Sequence, residues 1–401
     1  MVRRVYLDYN ATTPLAKEVL TAMRPYLTRE YGNPSSLHQI GQRSKKAIEE
    51  ARQQIAEILG VVDPKEIIFT GSGSESDNLA IKGLAANFAG GHIITSSIEH
   101  HAVLSTVEFL QKQGYSATFL PVDSTGLISV KDLINYIRPE TFLVSIMLAN
   151  NEVGTIQPVA EIGQLLKEIN KERQRQGLGR IYFHTDAVQA AGKLPIKVKE
   201  LGVDLLSLAA HKFYGPKGVG LLYCRQDVPV TALIHGGSHE YNRRAGTENV
   251  SGIVGMAAAW QLVVERMEEE NQRLKKLRQL IIDEVKRNIA NVRINGHPEK
   301  CLSNTLNISF EFIDGEALLL GLDTEGIAVS TGSACASGVP EPSHVLLAMG
   351  LKAEVARSAI RISLGHYTSE EDIRYFLKKL APLVENLRKI SPLYSARNPD
   401  G

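Results

Sequence analysis

The sequence predicts an α/β fold: a mostly parallel sheet covered by helices on both faces, followed by a smaller α+β unit. Seven short apolar segments alternate with amphipathic helical patterns over the first two-thirds of the chain, an order typical of parallel sheets. The chain of 401 residues is longer than a domain with a single hydrophobic core typically is, and its length suits two domains. The pattern changes after about residue 253, where a long charged helix begins.

The seven candidate strands are apolar runs that mostly alternate with helices. They are 66–71, 92–97, 116–123, 142–150, 181–188, 205–212 and 218–225, with helices predicted at 44–59, 77–88, 101–113 and 159–175. The last two strands are joined only by the sequence FYGPKG. A short link containing Gly and Pro suits a hairpin, so we expect one strand of the sheet to run antiparallel.

The last third of the chain has a different pattern. Residues 253–290 form one amphipathic pattern with acidic residues first and basic residues later, which indicates a long solvated helix able to connect two domains. Beyond it, the short strands LNISFEF and IRISL and a helix at 369–389 predict a small α+β domain.

Composition narrows the classes of function. The formal charge is +1, so the basic surface expected of a nucleic-acid-binding protein is absent. No run of 18 apolar residues predicts a membrane span, and the N-terminus MVRRVYLDYNATTP lacks the apolar stretch of a signal peptide. Cys224, Cys301 and Cys335 show neither CxxC nor Cys/His spacing, so we expect no metal site, no disulfide framework and a reducing compartment such as the cytoplasm.

Lys212 ends the strand predicted at 205–212 and precedes a tight turn. Ligands of open α/β sheets bind beyond the carboxyl ends of strands. A lysine held there beside a bulky ring is partly desolvated, which favours the free amine needed for a Schiff base. An ordinary loop lysine fits this segment alone equally well.

Asp186 and Gln189 lie at the end of the strand predicted at 181–188. A carboxylate in this position can hold the protonated ring nitrogen of a cofactor that stabilises carbanions. The alternative is that Thr185 or Asp186 caps a helix formed by AVQAAG, and this segment alone favours that alternative.

A Gly/Ser turn, Gly71-Ser72-Gly73-Ser74, joins a predicted strand to a predicted helix. Small residues let backbone N–H groups approach an anion at a helix N-terminus. The turn matches neither GxxxxGK[ST] nor GxGxxG, so it indicates a phosphate site that is not one of the common nucleotide sites.

Two further side chains are candidates for chemistry. His100 follows a strand, where its ring could stack on a flat cofactor or carry protons, although the sequence does not choose between His100 and His101. Cys335 lies among Ser, Gly, Ala and Pro, which predicts an exposed loop and a candidate nucleophile. Cys224 lies in an apolar strand and is expected to be inert packing, and Cys301 receives no role.

Ten short segments, in order from residue 6 to about residue 365, resemble the IscS/NifS cysteine desulfurases. They are YLDYNATTP (6–14), GNPSS (32–36), the Gly/Ser turn with ESDN (75–78), EHHAVL (99–104), NNEVG (150–154), DAVQ (186–189), HKFYGPKG (211–218), RAGTEN (244–249), GSACASG (332–338) and IRISLG (360–365). Each segment is short, but ten in the correct order and spacing make the resemblance specific.

The resemblance implies the type I fold of pyridoxal-phosphate-dependent transferases, with a seven-stranded, mainly parallel sheet. It also implies an N-terminal arm (1–14) belonging to the small domain, a large cofactor-binding domain (15–265) and a small C-terminal domain (266–401). The implied assembly is a homodimer with sites at the subunit interface.

Pyridoxal 5'-phosphate is the cofactor that the resemblance implies. Lys212 matches the Schiff-base lysine, Asp186 the partner of the pyridine nitrogen, and His100 the residue that stacks on the ring and carries protons. The other matching cofactor contacts are Gln189 and Asn151 at the ring oxygen, Gly73, Ser74 and His211 at the phosphate, and Thr247 at the phosphate of the other subunit.

The resemblance assigns substrate contacts as well. Arg361 matches the arginine that binds the substrate carboxylate, a task suited to a guanidinium fork, and Asn33 matches a second substrate contact. Cys335 matches the nucleophile that accepts sulfur, and the family also permits it to ligate a nascent cluster transiently.

The chain departs from the family pattern at two positions of the phosphate site. Ala209 stands where many relatives have a serine that helps to hold phosphate, and Ser74 replaces a threonine while keeping the hydroxyl. The segment after Cys335 resembles the longer-loop branch of the family, which delivers sulfur to a separate scaffold protein of the IscU/NifU type.

The implied activity converts L-cysteine to L-alanine and leaves the sulfur as a persulfide on Cys335, for iron–sulfur cluster assembly and, as a further outlet, tRNA thiolation. The alternatives are a selenocysteine lyase, another lyase or aminotransferase, and a regulatory partner without activity. An aminotransferase needs no Cys335, and the retention of Lys212 and Cys335 argues against a regulatory protein. We expect no direct nucleic-acid or membrane partner.

Overall fold

Three β-sheets organise the chain in the computed structural model, which describes residues 3–331 and 341–395. The strands are β1 (Val5–Tyr6), β2 (Ile67–Thr70), β3 (His92–Ser96), β4 (Ser116–Leu120), β5 (Thr141–Ser145), β6 (Tyr182–Asp186), β7 (Leu205–Ala209), β8 (Gly220–Cys224), β9 (Val292–Asn295), β10 (Thr305–Phe310), β11 (Ile327–Ala328) and β12 (Ala359–Ser363). The helices are α1 (Lys17–Thr28), α2 (Gln39–Leu59), α3 (Gly73–Ala85), α4 (His101–Lys112), α5 (Val130–Tyr136), α6 (Val159–Arg175), α7 (Val198–Leu201), α8 (Val250–Asn288), α9 (Gly315–Thr324), α10 (His344–Ala348), α11 (Ala353–Arg357), α12 (Glu370–Lys389) and α13 (Pro392–Ser395).

The largest sheet has seven strands in the order β2-β8-β7-β6-β5-β3-β4. All neighbours are parallel except β8, which runs antiparallel to both β2 and β7. The predicted seven-stranded, mainly parallel sheet and its hairpin are therefore confirmed. The strand predicted at 142–150 ends at Ser145; beyond it the Leu148 N–H still binds the Asp186 carbonyl of β6 at 2.8 Å, whereas the Met147 N–H binds the buried carboxylate of Glu99 at 2.9 Å.

Both faces of this sheet are covered, since alternate residues of a strand point to opposite faces. In β2, for example, Ile67 and Phe69 join one apolar cluster, formed with α2, α6 and the first half of α8. Ile68 joins a second cluster with α3 and α4. The predicted helices on both sides of the sheet are therefore confirmed.

Helix α8 connects this sheet to the smaller unit. Its first half, including Trp260, packs in the core of the large sheet, and its second half, including Ile281, packs against β10, β12, α9 and α12. Val5 and Leu7 of the N-terminal segment also belong to the core of this smaller unit. The unit contains the antiparallel sheet β12-β10-β9 and the parallel pair β1-β11.

Two further local expectations were wrong. Helix α3 begins at Gly73 rather than residue 77, because the Ser72 hydroxyl caps it by accepting the Glu75 N–H at 3.1 Å. The segment after Asp186 forms turns rather than a helix, so Asp186 is not a helix cap; its Oδ1 accepts the Val188 N–H at 2.9 Å within the turn. Among the described residues, no helix combines the length and the apolar character needed to cross a membrane.

A strained turn is held by a buried ion pair. Glu240, Tyr241 and Asn242 have φ angles of 45°, 57° and 63°, a left-handed conformation that costs about 1 kcal/mol or more per residue. The Arg52 guanidinium donates to both carboxylate oxygens of Glu240 at 2.8 and 2.9 Å, and the Phe69 N–H donates to one of them at 2.8 Å. Because both charged side chains are buried, this pair fixes the turn against the large sheet.

We expect Arg52→Met to destabilise the protein by about 3–5 kcal/mol, because it leaves the buried Glu240 carboxylate without its partner. Thermal unfolding followed by circular dichroism measures the change. Lys171→Met is the matched control, since it removes an ion pair to Glu168 in which both side chains are more than half exposed. Equal shifts in the two variants would contradict the role of the buried pair.

Candidate active site

The ends of two neighbouring parallel strands bring Asp186 and Lys212 to the same edge of the large sheet. Asp186 is the last residue of β6, and Lys212 ends a short 3-10 turn that follows β7. The two strands pair in parallel register, so their carboxyl ends lie together, as in other open α/β sites.

Lys212 is partly buried and bound by carbonyl groups. Its Nζ donates to the carbonyl oxygens of Asn10 at 2.7 Å and Ala11 at 2.8 Å. Desolvation and, to a lesser extent, the positive charge of Arg361 lower the pKa of Lys212 to about 8, against the opposing carboxylates of Asp186 and Asp8. The placement of this lysine agrees with the partial desolvation expected of it, and its role in a Schiff base stays a prediction.

The N-terminal segment joins several of the candidate residues. The Gln189 amide donates to the Asn10 carbonyl at 3.0 Å, the oxygen that also binds Lys212. The Asn10 side chain donates to the Asn151 carbonyl at 3.1 Å and to the Thr305 hydroxyl at 2.9 Å. One arm residue thus ties the ends of the large sheet to β10 of the small unit.

A second carboxyl group lies near Asp186. Burial raises the pKa of Asp186 to about 6. Asp77 of α3 is fully buried, and burial together with the negative charge of Asp186 raises the pKa of Asp77 well above its usual range. His184 Nε2 lies 3.6 Å from Asp77 Oδ1, and burial lowers the pKa of His184 to about 3, so this imidazole is neutral. We infer that Asp77 takes a proton and leaves the negative charge on Asp186.

His100 caps α4 and is neutral at pH 7. Its Nδ1 accepts the Ala102 N–H at 3.1 Å. Desolvation of the ring and, to a lesser extent, the positive charge of Lys212 lower the pKa of His100 to about 4, although the residue as a whole is exposed. Because Nδ1 of this neutral ring accepts a hydrogen bond, the ring proton is on Nε2. His100 therefore presents an N–H donor.

The first turn of α3 packs closely against the two strand ends. A Cβ on Gly73 would lie 2.9 Å from Val188 Cγ2 and 3.3 Å from the Cβ of Ala209, so only glycine lets the backbone approach this far. The Glu75 carboxylate accepts the Gly71 N–H at 2.7 Å beside this turn. An anionic group therefore already binds a backbone N–H at the start of the helix.

Arg361 lies on β12 and faces the same region. Its NH2 donates to Asp8 Oδ1 at 2.7 Å, and its NH1 donates to the Asn151 carbonyl at 3.2 Å. Its Nε is buried and has no hydrogen-bond partner among the described residues. The backbone of Arg361 pairs with Ser330, just before the segment that contains Cys335.

Several candidates are not joined to this group by the contacts described. Asn33 is exposed and its Oδ1 accepts the Ser35 N–H at 2.9 Å, and Thr247 is also exposed. Ser74 is exposed on the first turn of α3, while His211 Nδ1 lies 3.2 Å from the Thr12 hydroxyl. Cys335 lies outside the described residues.

The other cysteines are placed in the structure. Cys224 is buried, and burial raises the pKa of its thiol to about 12, which confirms the expectation of inert packing. Cys301 is partly buried, and its Sγ lies 3.6 Å from a guanidinium nitrogen of Arg278. Within residues 3–331 and 341–395 no group of His, Cys, Asp or Glu is arranged to hold a metal ion.

Sequence reasoning missed four residues of this site: Asp8, Asn10, Asp77 and His184. Asp8, Asn10 and Asp77 lie in segments that carried the resemblance, but their contacts cross long stretches of chain and leave no local pattern. A sequence signal did exist for His184, which lies two residues before Asp186 and therefore on the same side of β6.

The geometry agrees with comparisons to known proteins. The aminotransferase class-V family model matches residues 5–376. Cysteine desulfurase IscS of Dictyoglomus turgidum is 52% identical over 394 residues, which span 98% of this chain and 97% of that protein. The chain belongs to the IscS/NifS cysteine desulfurase family, a branch of the class-V aminotransferases.

Solved structures of family members superpose closely on the chain. A structure described as a NifS-like protein has a TM-score of 0.89 and 42% identity, covering 96% of this chain and 100% of that one. A structure described as SspA in complex with cysteine has a TM-score of 0.78 and 39% identity, covering 91% of this chain and 100% of that one. The family depends on pyridoxal 5'-phosphate.

The residues present fit this cofactor. The site supplies a partly buried amine in Lys212, a buried carboxylate in Asp186, and a helix start that only Gly73 allows so close to the strand ends. The Oε1 of Gln189 is buried without a hydrogen-bond partner among the described residues, so this amide has unused capacity toward a bound polar group.

We expect Lys212 of the cofactor-free protein to react as a free amine at unusually low pH. Burial lowers its pKa to about 8, so reductive methylation, which requires the unprotonated amine, should be half-maximal near pH 8 instead of near the ordinary lysine value of about 10.5. Mass spectrometry of the labelled peptides over a pH series measures this. Lys212→Arg identifies the signal, and a half-point near 10.5 would show that the amine is not desolvated.

Proposed function

We propose that the protein is a pyridoxal-phosphate-dependent cysteine desulfurase. It converts L-cysteine to L-alanine, keeps the sulfur as a persulfide on Cys335, and supplies it for iron–sulfur cluster assembly. The convergence of Lys212, Asp186 and Arg361 beside one N-terminal arm carries the proposal. The relatives named cysteine desulfurase and the related structure that holds cysteine support the choice of substrate.

The cofactor would be held by groups of three kinds. Asp186 would bind the ring nitrogen. Its neighbour Asp77 would be the protonated member of this pair of carboxyl groups, so that Asp186 stays ionised. Gln189 and Asn151 would bind the ring oxygen, and His100 would lie against the ring. The phosphate would be bound by Gly73, Ser74 and His211, with Thr247 from a second subunit.

The bound cofactor supplies an electron sink for the charge left at the substrate Cα. Lys212 supplies the base that removes the Cα proton, because its lowered pKa keeps a useful fraction of free amine near neutral pH. The carbonyls of Asn10 and Ala11 hold this Nζ when it is not otherwise bound. Arg361 binds the substrate carboxylate and fixes its orientation, with Asn33 as a second substrate contact.

Sulfur transfer forms an S–S bond on Cys335 and breaks the Cβ–S bond of the substrate. The Cys335 thiolate attacks the sulfur, and the carbon skeleton leaves as alanine after protonation, for which His100 offers an N–H donor. Cys335 follows Ser330 by only five positions, a reach of up to about 17 Å. Since the backbone of Ser330 pairs with that of Arg361, the length of chain between Ser330 and Cys335 supports the proposed attack on a substrate bound by Arg361.

The proposed assembly is a homodimer, and the proposed sulfur acceptor is a scaffold protein of the IscU/NifU type. Leu20 and Leu27 lie seven residues apart on one face of α1 and are 49% and 56% exposed, and Tyr31 just beyond is 75% exposed. An apolar surface of this kind suits a second copy of the chain. We further propose the cytoplasm as the location, and the domain boundaries at 14/15 and 265/266 stay predictions.

We expect L-cysteine and a reductant to yield equimolar alanine and sulfide with the cofactor-loaded enzyme, and Cys335→Ala to abolish both while cofactor absorbance remains. The loss follows because no other group of the proposed mechanism accepts sulfur. Alanine is quantified by chromatography and sulfide by colorimetry. Cys301→Ala is the matched control and should retain both products. Undiminished sulfide from Cys335→Ala, or none from the wild type with candidate scaffold proteins added, would overturn the proposal.

We expect sedimentation equilibrium of the wild-type protein to give a molecular mass about twice the 44.0 kDa of one chain. Leu27→Lys should shift the protein toward the monomer, because it places a charge in the apolar face of α1. Ile390→Lys, which changes a 78% exposed residue outside that face, should leave the dimer intact. A wild-type protein that sediments as a single chain would contradict the dimer.

A further inference from the structure

Arg361, which binds the substrate carboxylate in the proposed function, forms an ion pair with a carboxylate of the chain itself. Arg361 NH2 donates to Asp8 Oδ1 at 2.7 Å, and the two side chains are 9% and 18% exposed. NH1 binds the Asn151 carbonyl, and Nε has no partner among the described residues. A carboxylate of this chain therefore already lies where a carboxylate ligand has to bind.

The path of the arm does not depend on this ion pair. The backbone of Asp8 pairs with Ser363, the Leu7 N–H binds the Ala328 carbonyl at 2.8 Å, and the Tyr9 N–H binds the Ser363 carbonyl at 3.3 Å. Because the main chain is fixed on both sides of Asp8, its side chain can leave Arg361 by rotation alone while the arm stays in place.

The contact between Asp8 and Arg361 is a single hydrogen bond to a group that carries five donors. An incoming carboxylate that engages two guanidinium N–H groups binds more strongly and with a fixed orientation. Two carboxylates on one guanidinium also repel each other. A substrate carboxylate and Asp8 therefore compete for Arg361.

We propose that Asp8 is a specificity-determining residue of the substrate site. In the resting enzyme its carboxylate occupies Arg361, and a ligand enters productively only when its own carboxylate replaces Asp8 there. The ligands favoured are those with a free α-carboxylate, whereas amides and esters of the same skeleton cannot displace Asp8. This inference rests on the proposed function for the role of Arg361.

Asp8→Asn tests the competition, because it removes the charge and keeps the size of the side chain. The probe is 3-mercaptopropionate, which has a carboxylate and a thiol but no amine to react with the cofactor. Calorimetry with the cofactor-loaded enzyme should show its Kd falling about tenfold in the variant, equivalent to about 1.4 kcal/mol. The KM for L-cysteine should fall in parallel, and the Kd of 3-mercaptopropionamide should not change.

Arg3→Gln is the matched control, since it breaks the 2.8 Å contact of Arg3 with Asp372 near the start of the same arm and leaves Asp8 untouched. Weaker binding of 3-mercaptopropionate by Asp8→Asn, an equal gain for the amide, or the same gain in Arg3→Gln would each overturn the inference. If the wild type forms no alanine, the proposed function fails, whereas the calorimetric comparison still decides the role of Asp8.

Discussion

Desolvation at the carboxyl edge of the large sheet governs the chemistry of the candidate site. Burial is the largest cause of the altered pKa of Lys212, Asp186 and His100, and in each case it favours the neutral form. A site built in this way keeps a free amine and a neutral imidazole at neutral pH. A side chain that stays charged in this desolvated site needs a hydrogen-bond or ion-pair partner close to it. The N-terminal arm provides such partners.

The arm is the element that makes one site from two packed units. Val5 and Leu7 lie in the core of the small unit, whereas the Thr13 N–H binds the His211 carbonyl at the end of β7. Between them, Asn10 contacts groups from both units. The positions of Lys212 and Arg361 relative to each other therefore depend on how the small unit packs, because Lys212 follows a strand of the large sheet and Arg361 lies in the small unit.

Sequence reasoning predicted the elements that depend on neighbouring residues, and it missed the contacts between residues far apart in the chain. The seven strands and their hairpin were predictable because each buried strand is a continuous apolar run with turn residues beside it. The pair β1–β11 has only two residues in each strand, too few for any periodicity, and Asp8 meets Arg361 across 353 positions. The roles of all the site residues stay predictions, and Asn33 and Thr247 are in addition joined to the other site residues by no contact among the described residues.

His100 and His101, between which the sequence left the choice open, have different surroundings, and the assignment of the cofactor contact to His100 stays a prediction. His100 lies close enough to Lys212 for that charge to lower its pKa. The ring of His101 packs on His344 with centroids 4.8 Å apart, and His344 Nε2 lies 3.0 Å from the Glu99 carbonyl. His344 follows the segment that carries Cys335. The rings of His100, His101 and His344 thus form a series of contacts that runs from the neighbourhood of Lys212 to helix α10.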